Sequence, residues 1–225
     1  MQPVPRDHQQ SDAAFRRRRI VVAVTIVIGA TLLGLSLNLT PGDNRFYLAT
    51  IALAGVWVIG AFSSGPLHLG RASTRSGRHL VRPVLQPLVL GGAAVGIFVI
   101  GALIVARIPP LRDSVNAVLD HARFSSLPAV VIITLINGVA EELFFRGALF
   151  AAIGARFPVL ISTAIYGLTT VTTGNVMLVF AAVVLGLLVG LQRRVTGGVL
   201  APMIIHCTWS MSMLLVLPPL LEHLA

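Results

Sequence analysis

The sequence predicts an all-α protein, a polytopic bundle that crosses a membrane about seven times. Hydrophobic residues make up 56% of the 225-residue chain and charged residues only 11%, whereas a soluble domain carries about a quarter charged residues. Mean hydropathy is +0.88, and long apolar runs alternate with short segments rich in arginine. We therefore expect a cytoplasmic tail at residues 1–19 and one transmembrane domain at residues 20–225, with no second folded domain.

The apolar runs predict the individual spans, since about 20 apolar residues cross a bilayer. The first run follows four arginines and has no small-residue cleavage site, so it is a span and not a signal peptide. The predicted spans are residues 20–39, 47–62, 84–106, 127–153, a weaker fifth ending near 171, 176–191 and 199–217. Turns rich in proline, glycine or asparagine separate several of them. Residues 107–126 are predicted to form a polar loop.

The arginines predict a cytoplasmic N-terminus in a multi-pass protein of the cell membrane. Alternating spans bring three basic segments to one side: residues 16–19, the pair 193–194, and the 71–82 loop with Arg71, Arg75, Arg78 and Arg82. This distribution agrees with the positive-inside rule. The formal net charge of +9 does not indicate nucleic-acid binding, because the arginines flank apolar runs and form no soluble basic face. The lipid bilayer is the expected surrounding.

Glycines four residues apart predict close helix contacts in two places. The pairs are Gly92 with Gly96 and Gly186 with Gly190. Small residues at this spacing let two helices approach closely within a membrane.

Two adjacent carboxylates and an arginine interrupt the apolar span 127–153. Ionisable groups at membrane depth are costly and are usually functional. Glu142 and Arg146 are four residues apart on one helix face and can pair. Glu141 points about 100° away, which leaves it free to handle a water or a proton as a general base. The opposite assignment of the two glutamates stays open if the helix is distorted here.

A second polar pair, His206 and Ser210, lies on one face of the last predicted span. His206 and Glu141 fall at comparable depth in the membrane, so a carboxylate and a histidine could together activate a water. A purely structural interpretation is a Glu–Arg pair that holds helices together, with His206 hydrogen-bonded to a neighbour. A zinc site needs three protein ligands and a water, and His206 with one or two glutamates falls short. No metal and no other cofactor is predicted.

Residues 127–213 resemble the motif region of the CAAX protease and bacteriocin-processing family, also called the Abi family, of intramembrane proteases. Glu141-Glu142-x-x-x-Arg146 is similar to the first family motif. Residues 162–170 resemble the second, in which an aromatic residue is followed four residues later by histidine. Residues 198–210 resemble the third, in which histidine is followed four residues later by asparagine.

The resemblance implies an intramembrane endopeptidase, a hydrolase that acts on a peptide or membrane-protein substrate. It implies that Glu141 is the base that activates the attacking water, with Glu142 and Arg146 in support. It also implies that His206 donates a hydrogen bond to the oxyanion.

Two positions depart from the family pattern. Thr170 stands where the family has histidine, and Ser210 stands where it has asparagine. Threonine cannot accept a proton at neutral pH, and the loss of a positioned acid–base group typically costs about 10²–10⁴-fold in rate. The expectations are therefore a weak or altered protease or, alternatively, a non-catalytic membrane binding or immunity-type protein derived from the family. A proton-coupled transporter ranks last, since no internal repeat is visible.

Overall fold

The structure is a computed structural model that describes residues 10–73 and 80–224. The described chain forms eight helices. They are α1 Asp12–Leu37, α2 Arg45–Ser64, α3 Leu85–Val105, α4 Pro109–Arg123, α5 Leu127–Ile153, α6 Pro158–Val171, α7 Val176–Thr196 and α8 Leu200–His223. Two short antiparallel strands, β1 Ala72–Ser73 and β2 Leu80–Val81, follow α2. Residues 1–9 of the predicted tail, and Arg75 and Arg78 of the predicted basic loop, lie outside the described residues.

The predicted all-α membrane bundle is confirmed. Within the described residues six helices, α1, α2, α3, α5, α7 and α8, are long and apolar enough to cross a membrane. The fifth predicted span is the exception, because α6 has only 14 residues and is about 21 Å long. About seven spans remain compatible with this arrangement, and the chain is a multi-pass membrane protein.

The prediction of a polar loop at residues 107–126 is wrong, since most of that segment is helix α4. Two prolines occupy its first positions. Proline is tolerated there because the backbone N–H groups of the first helical turn have no hydrogen-bond partner within the helix. Leu111, Val115 and Leu119 then recur every four residues, and Leu119 is buried against Leu221 of α8. The segment is amphipathic, so its average polarity concealed its helical period.

Contacts between segments distant in sequence define two ends of the bundle. At one end, the side-chain amide of Asn175 donates to the carbonyl of Ser114 at 2.6 Å. At the other, the backbone N–H of Arg71 donates to the carbonyl of Thr196 at 2.9 Å. We call these the Asn175 end and the Arg71 end. The alternating-span prediction places Ser114 and Asn175 on one side of the membrane and Arg71 and Thr196 on the other, and each pair is in contact in the structure. Which side each end faces in the cell stays a prediction.

The two glycine pairs differ in what they face. A Cβ at Gly186 would lie 3.1 Å from Thr163 of α6, and one at Gly190 would lie 3.1 Å from Val159. The predicted close contact is confirmed here, between α6 and α7. It is wrong for Gly92 and Gly96, where a Cβ would meet no atom within 4 Å, because both face outward from α3.

We expect the Arg71 end to face the cytoplasm, because Arg18, Arg71 and Arg82 gather there and basic residues favour the cytoplasmic side. Reporter fusions placed after Gly65 and after Asn116 should give inside and outside readouts, respectively. Identical readouts at the two positions would rule out the alternating arrangement.

Candidate active site

Helix α5 changes its winding directly after the two carboxylates. Residues Leu127–Glu142 are α-helical, residues Leu143–Leu149 form a π-helical segment, and α-helix resumes at Phe150. Such wide turns are rare and are often found at functional sites. Residues 144–149 of this segment are all buried. The distortion left open by the sequence is therefore present, and it begins between Glu142 and Arg146.

Glu142 and Arg146 form a buried ion pair, the contact that their four-residue spacing permits. Both side chains are fully buried, and Arg146 Nη1 donates to Glu142 Oε1 at 3.0 Å. The same oxygen lies 2.8 Å from Nδ1 of His206. One carboxylate oxygen of α5 thus joins a cation on its own helix to an imidazole on α8.

Glu141 faces a different helix. The hydroxyl of Tyr166 on α6 donates to Glu141 Oε2 at 2.6 Å. The guanidinium carbon of Arg146 also lies 4.6 Å from the centroid of the Tyr166 ring, within the range of a cation–π interaction. Tyr166 therefore contacts both Glu141 and Arg146. The Glu141 side chain is partly exposed, whereas the Glu142 side chain is fully buried.

His206 reaches the carboxylates because α8 packs closely against α5. Gly138, one turn before Glu142, faces α8. A Cβ at Gly138 would lie 3.4 Å from Cys207 Sγ and 3.9 Å from both the His206 ring and the Ser210 hydroxyl. The absence of a side chain at Gly138 lets the two helices approach at this level.

Thr170 and Ser210 each lie four residues after a residue of the site, Tyr166 and His206 respectively. Their hydroxyls, however, donate to backbone carbonyls of their own helices. Thr170 is buried and donates to the carbonyl of Tyr166 at 2.9 Å. Ser210 donates to the carbonyl of His206 at 2.9 Å. The structure thus brings together Glu141, Glu142, Arg146 and His206. It gives Thr170 and Ser210 no hydrogen bond to these four side chains.

Two residues of the site were absent from the predicted set. Tyr166 is the aromatic residue of the second motif. Its hydroxyl, which can donate a hydrogen bond, was the sequence signal that it belongs to the site. Arg193 was interpreted as a basic flank after a span ending at residue 191. The structure instead continues α7 to Thr196 and buries Arg193, whose Nε donates to the backbone carbonyl of Arg146 at 2.6 Å. The adjacent Arg194 is exposed, and nothing in the sequence distinguishes the buried arginine of this pair from the exposed one.

In the part of the chain that the structure describes, no group of three or more His, Cys, Asp or Glu side chains is placed to hold a metal ion. The cluster is one of charge and hydrogen bonding: two carboxylates, one guanidinium, one imidazole and one phenol. These groups can take up, hold and donate protons within a membrane-spanning bundle.

The fold and site define a multi-pass helical membrane protein with a buried carboxylate–arginine–histidine cluster. Comparison with known families then gives a more particular result. Residues 123–212 match the family model described as Rce1-like, Type II CAAX prenyl endopeptidase Rce1-like. No curated protein and no solved structure gives a significant match. The matched segment contains α5 to the middle of α8, so the resemblance to CAAX-type intramembrane proteases predicted from the motifs is confirmed.

Glu142→Gln should reduce the amount of folded protein more than Glu141→Gln does. Removing the Glu142 charge leaves Arg146 buried without its ion-pair partner, and breaking a buried pair costs about 3–5 kcal/mol. Glu141 is partly exposed, and a glutamine there can still accept the Tyr166 hydrogen bond. Membrane-inserted protein and thermal stability in detergent should be measured for both variants. A less abundant Glu141→Gln protein would reverse the assignment of the two glutamates.

Proposed function

We propose that the chain is an intramembrane endopeptidase that hydrolyses a peptide bond in a peptide or membrane-protein substrate. One observation carries the proposal. Glu142 is shared between Arg146 and His206, while the adjacent Glu141 is held separately by Tyr166. Two neighbouring carboxylates with different partners can perform different tasks. The family match over residues 123–212 supports the same reaction class.

The incomplete hydrogen bonding of the ion pair favours a chemical role. Glu142 Oε2 and the Nε and Nη2 atoms of Arg146 are buried without a hydrogen-bond partner among the described residues. A buried ion pair stabilises a fold only when its remaining polar atoms are satisfied, and apolar residues of similar volume often serve as well or better. These polar atoms can engage a water or a reacting group, which supports a chemical role in addition to helix packing.

In the proposed reaction His206 is oriented by Glu142 and acts through its other nitrogen. When the imidazole is protonated, Nδ1–H donates to Glu142 and Nε2–H points away from it. Nε2–H can then stabilise the oxyanion of a tetrahedral intermediate, which is usually a large contribution to acyl-transfer catalysis.

Glu141 is the proposed general base. Tyr166 engages Oε2, which leaves Oε1 to take a proton from water as the water oxygen attacks the scissile carbonyl carbon. The carbonyl π electrons move to oxygen, where His206 stabilises them. When the intermediate collapses, the C–N bond breaks and Glu141 returns the proton to the leaving amine nitrogen. The base is thereby regenerated, and water has been added across the peptide bond.

A non-catalytic membrane binding or immunity-type protein is the second candidate function. The observation that favours it is that the Thr170 and Ser210 hydroxyls both donate to carbonyls one turn earlier in their own helices. Neither proton is then available to a substrate or intermediate at the positions where the family has histidine and asparagine. In this interpretation the Glu142–Arg146 pair persists as a binding or structural element.

We expect Glu141→Gln to abolish turnover, because an amide cannot accept a proton from water. The assay is cleavage of a membrane-proximal peptide library by the purified protein in liposomes. His206→Gln should also lower turnover strongly. His121→Gln is the matched control, since His121 is a buried histidine of α4 that stacks on Phe46, outside the cluster. Turnover that persists in Glu141→Gln would assign the cleavage to a contaminant or another mechanism.

Thr170→His should raise turnover by up to about 10²-fold, because an imidazole with a near-neutral pKa would return to the family position. Position 170 is one helical turn beyond Tyr166, which contacts Glu141. Rates should be compared for the native chain, Thr170→His, and Thr170→His combined with Ser210→Asn. If none of the three proteins cleaves any library member, the non-catalytic function is favoured.

A further inference from the structure

The return from π-helical to α-helical spacing in α5 passes over one backbone carbonyl. At the end of this segment, the N–H of Phe150 is directed to the carbonyls of Phe145 and Gly147, five and three residues earlier, and not to that of Arg146, four residues earlier. The α-helix resumes at Phe150, where ideal α-helical spacing would pair the N–H of residue 151 with the carbonyl of residue 147. The carbonyl passed over by this change of spacing is that of Arg146, the residue that pairs with Glu142.

Arg193 of α7 supplies the missing donor. Its Nε–H donates to the Arg146 carbonyl at 2.6 Å in a buried contact, and its guanidinium carbon lies 5.1 Å from the centroid of the Phe150 ring. Arg193 therefore contacts both the skipped carbonyl and the residue at which α-helix resumes. An unpaired buried carbonyl is costly, and a charged donor gives a stronger hydrogen bond than a neutral one.

We propose that Arg193 is a positioning residue for the site. By holding the Arg146 carbonyl, it fixes the register of the π-helical segment and so fixes where the Arg146 guanidinium meets Glu142. Because Glu142 orients His206, a residue on α7 sets the geometry of groups on α5 and α8. A role in catalysis rests on the proposed function, whereas control of the helix register does not.

Backbone hydrogen exchange of the full-length protein in lipid nanodiscs tests the register. Arg193→Gln should accelerate exchange in peptides covering residues 143–153 by about 10- to 100-fold, the effect of losing a charge-assisted hydrogen bond. Peptides of α1 and α3 should be unchanged. Arg194→Gln is the matched control, because it removes an exposed arginine one position away. Arg193→Lys keeps the charge but lacks the planar guanidinium. It should also accelerate exchange, and it replaces the glutamine variant if that protein does not accumulate.

Two further readouts separate positioning from general stability. The ¹⁵N resonances of the His206 ring, assigned by their loss in His206→Gln, report its contact with Glu142 and should shift in Arg193→Gln but not in Arg194→Gln. In an active native chain, kcat should fall about 10- to 100-fold at nearly constant KM. No local rise in exchange, an equal rise in α1 and α3, or a local rise with unchanged kcat would overturn the proposal. If the native chain cleaves nothing, the proposed function fails, but the positioning role can still be tested from the His206 resonances. Resonances that stay unchanged in Arg193→Gln would then reject the positioning role.

Discussion

Burial of the Glu142 carboxylate at membrane depth is the constraint on which the site depends. A charge in this position needs a cation, and Arg146 supplies one on the same helix at 3.0 Å. The pair in turn fixes the position of α8, because His206 Nδ1 binds the same carboxylate oxygen. It also fixes the position of α6, whose Tyr166 ring lies over the guanidinium. Helices α6 and α8 are thus tied to α5 by polar contacts as well as by apolar packing.

The change of winding in α5 makes this arrangement compatible with a continuous helix. Aromatic side chains surround the segment, since Phe144 and Phe145 pack against Trp57 of α2 with ring centroids 4.7 and 5.0 Å away. All three side chains are almost completely buried. The segment is therefore held by α2 on its apolar side and by α7 at the Arg146 carbonyl, so a locally weakened hydrogen-bond pattern persists in a rigid surrounding.

The number of apolar runs and the pairing of Glu142 with Arg146 could be predicted from the sequence, because hydropathy and four-residue spacing depend on nearby residues alone. The sequence predicted only a matching depth for His206 and Glu141. The contact that forms joins His206 to Glu142, and it requires the close approach of α5 and α8 that Gly138 permits. The burial of Arg193 could not be predicted. An arginine at the end of an apolar run is usually a topological signal, and only the skipped carbonyl of a distant helix gives it another role.

The short length of α6 changes how the surrounding lipid meets the protein. Leu160, Leu168 and Val171 are exposed on its surface, yet the helix covers only about 21 Å of a hydrocarbon layer about 30 Å thick. Lipids beside α6 must therefore thin, or the polar turns at its two ends must enter the hydrocarbon layer. Either adjustment brings the headgroup region, with its water, closer to Tyr166 and Glu141 than elsewhere around the bundle. Bilayer thickness is thereby a physical variable that bears on the hydration of Glu141.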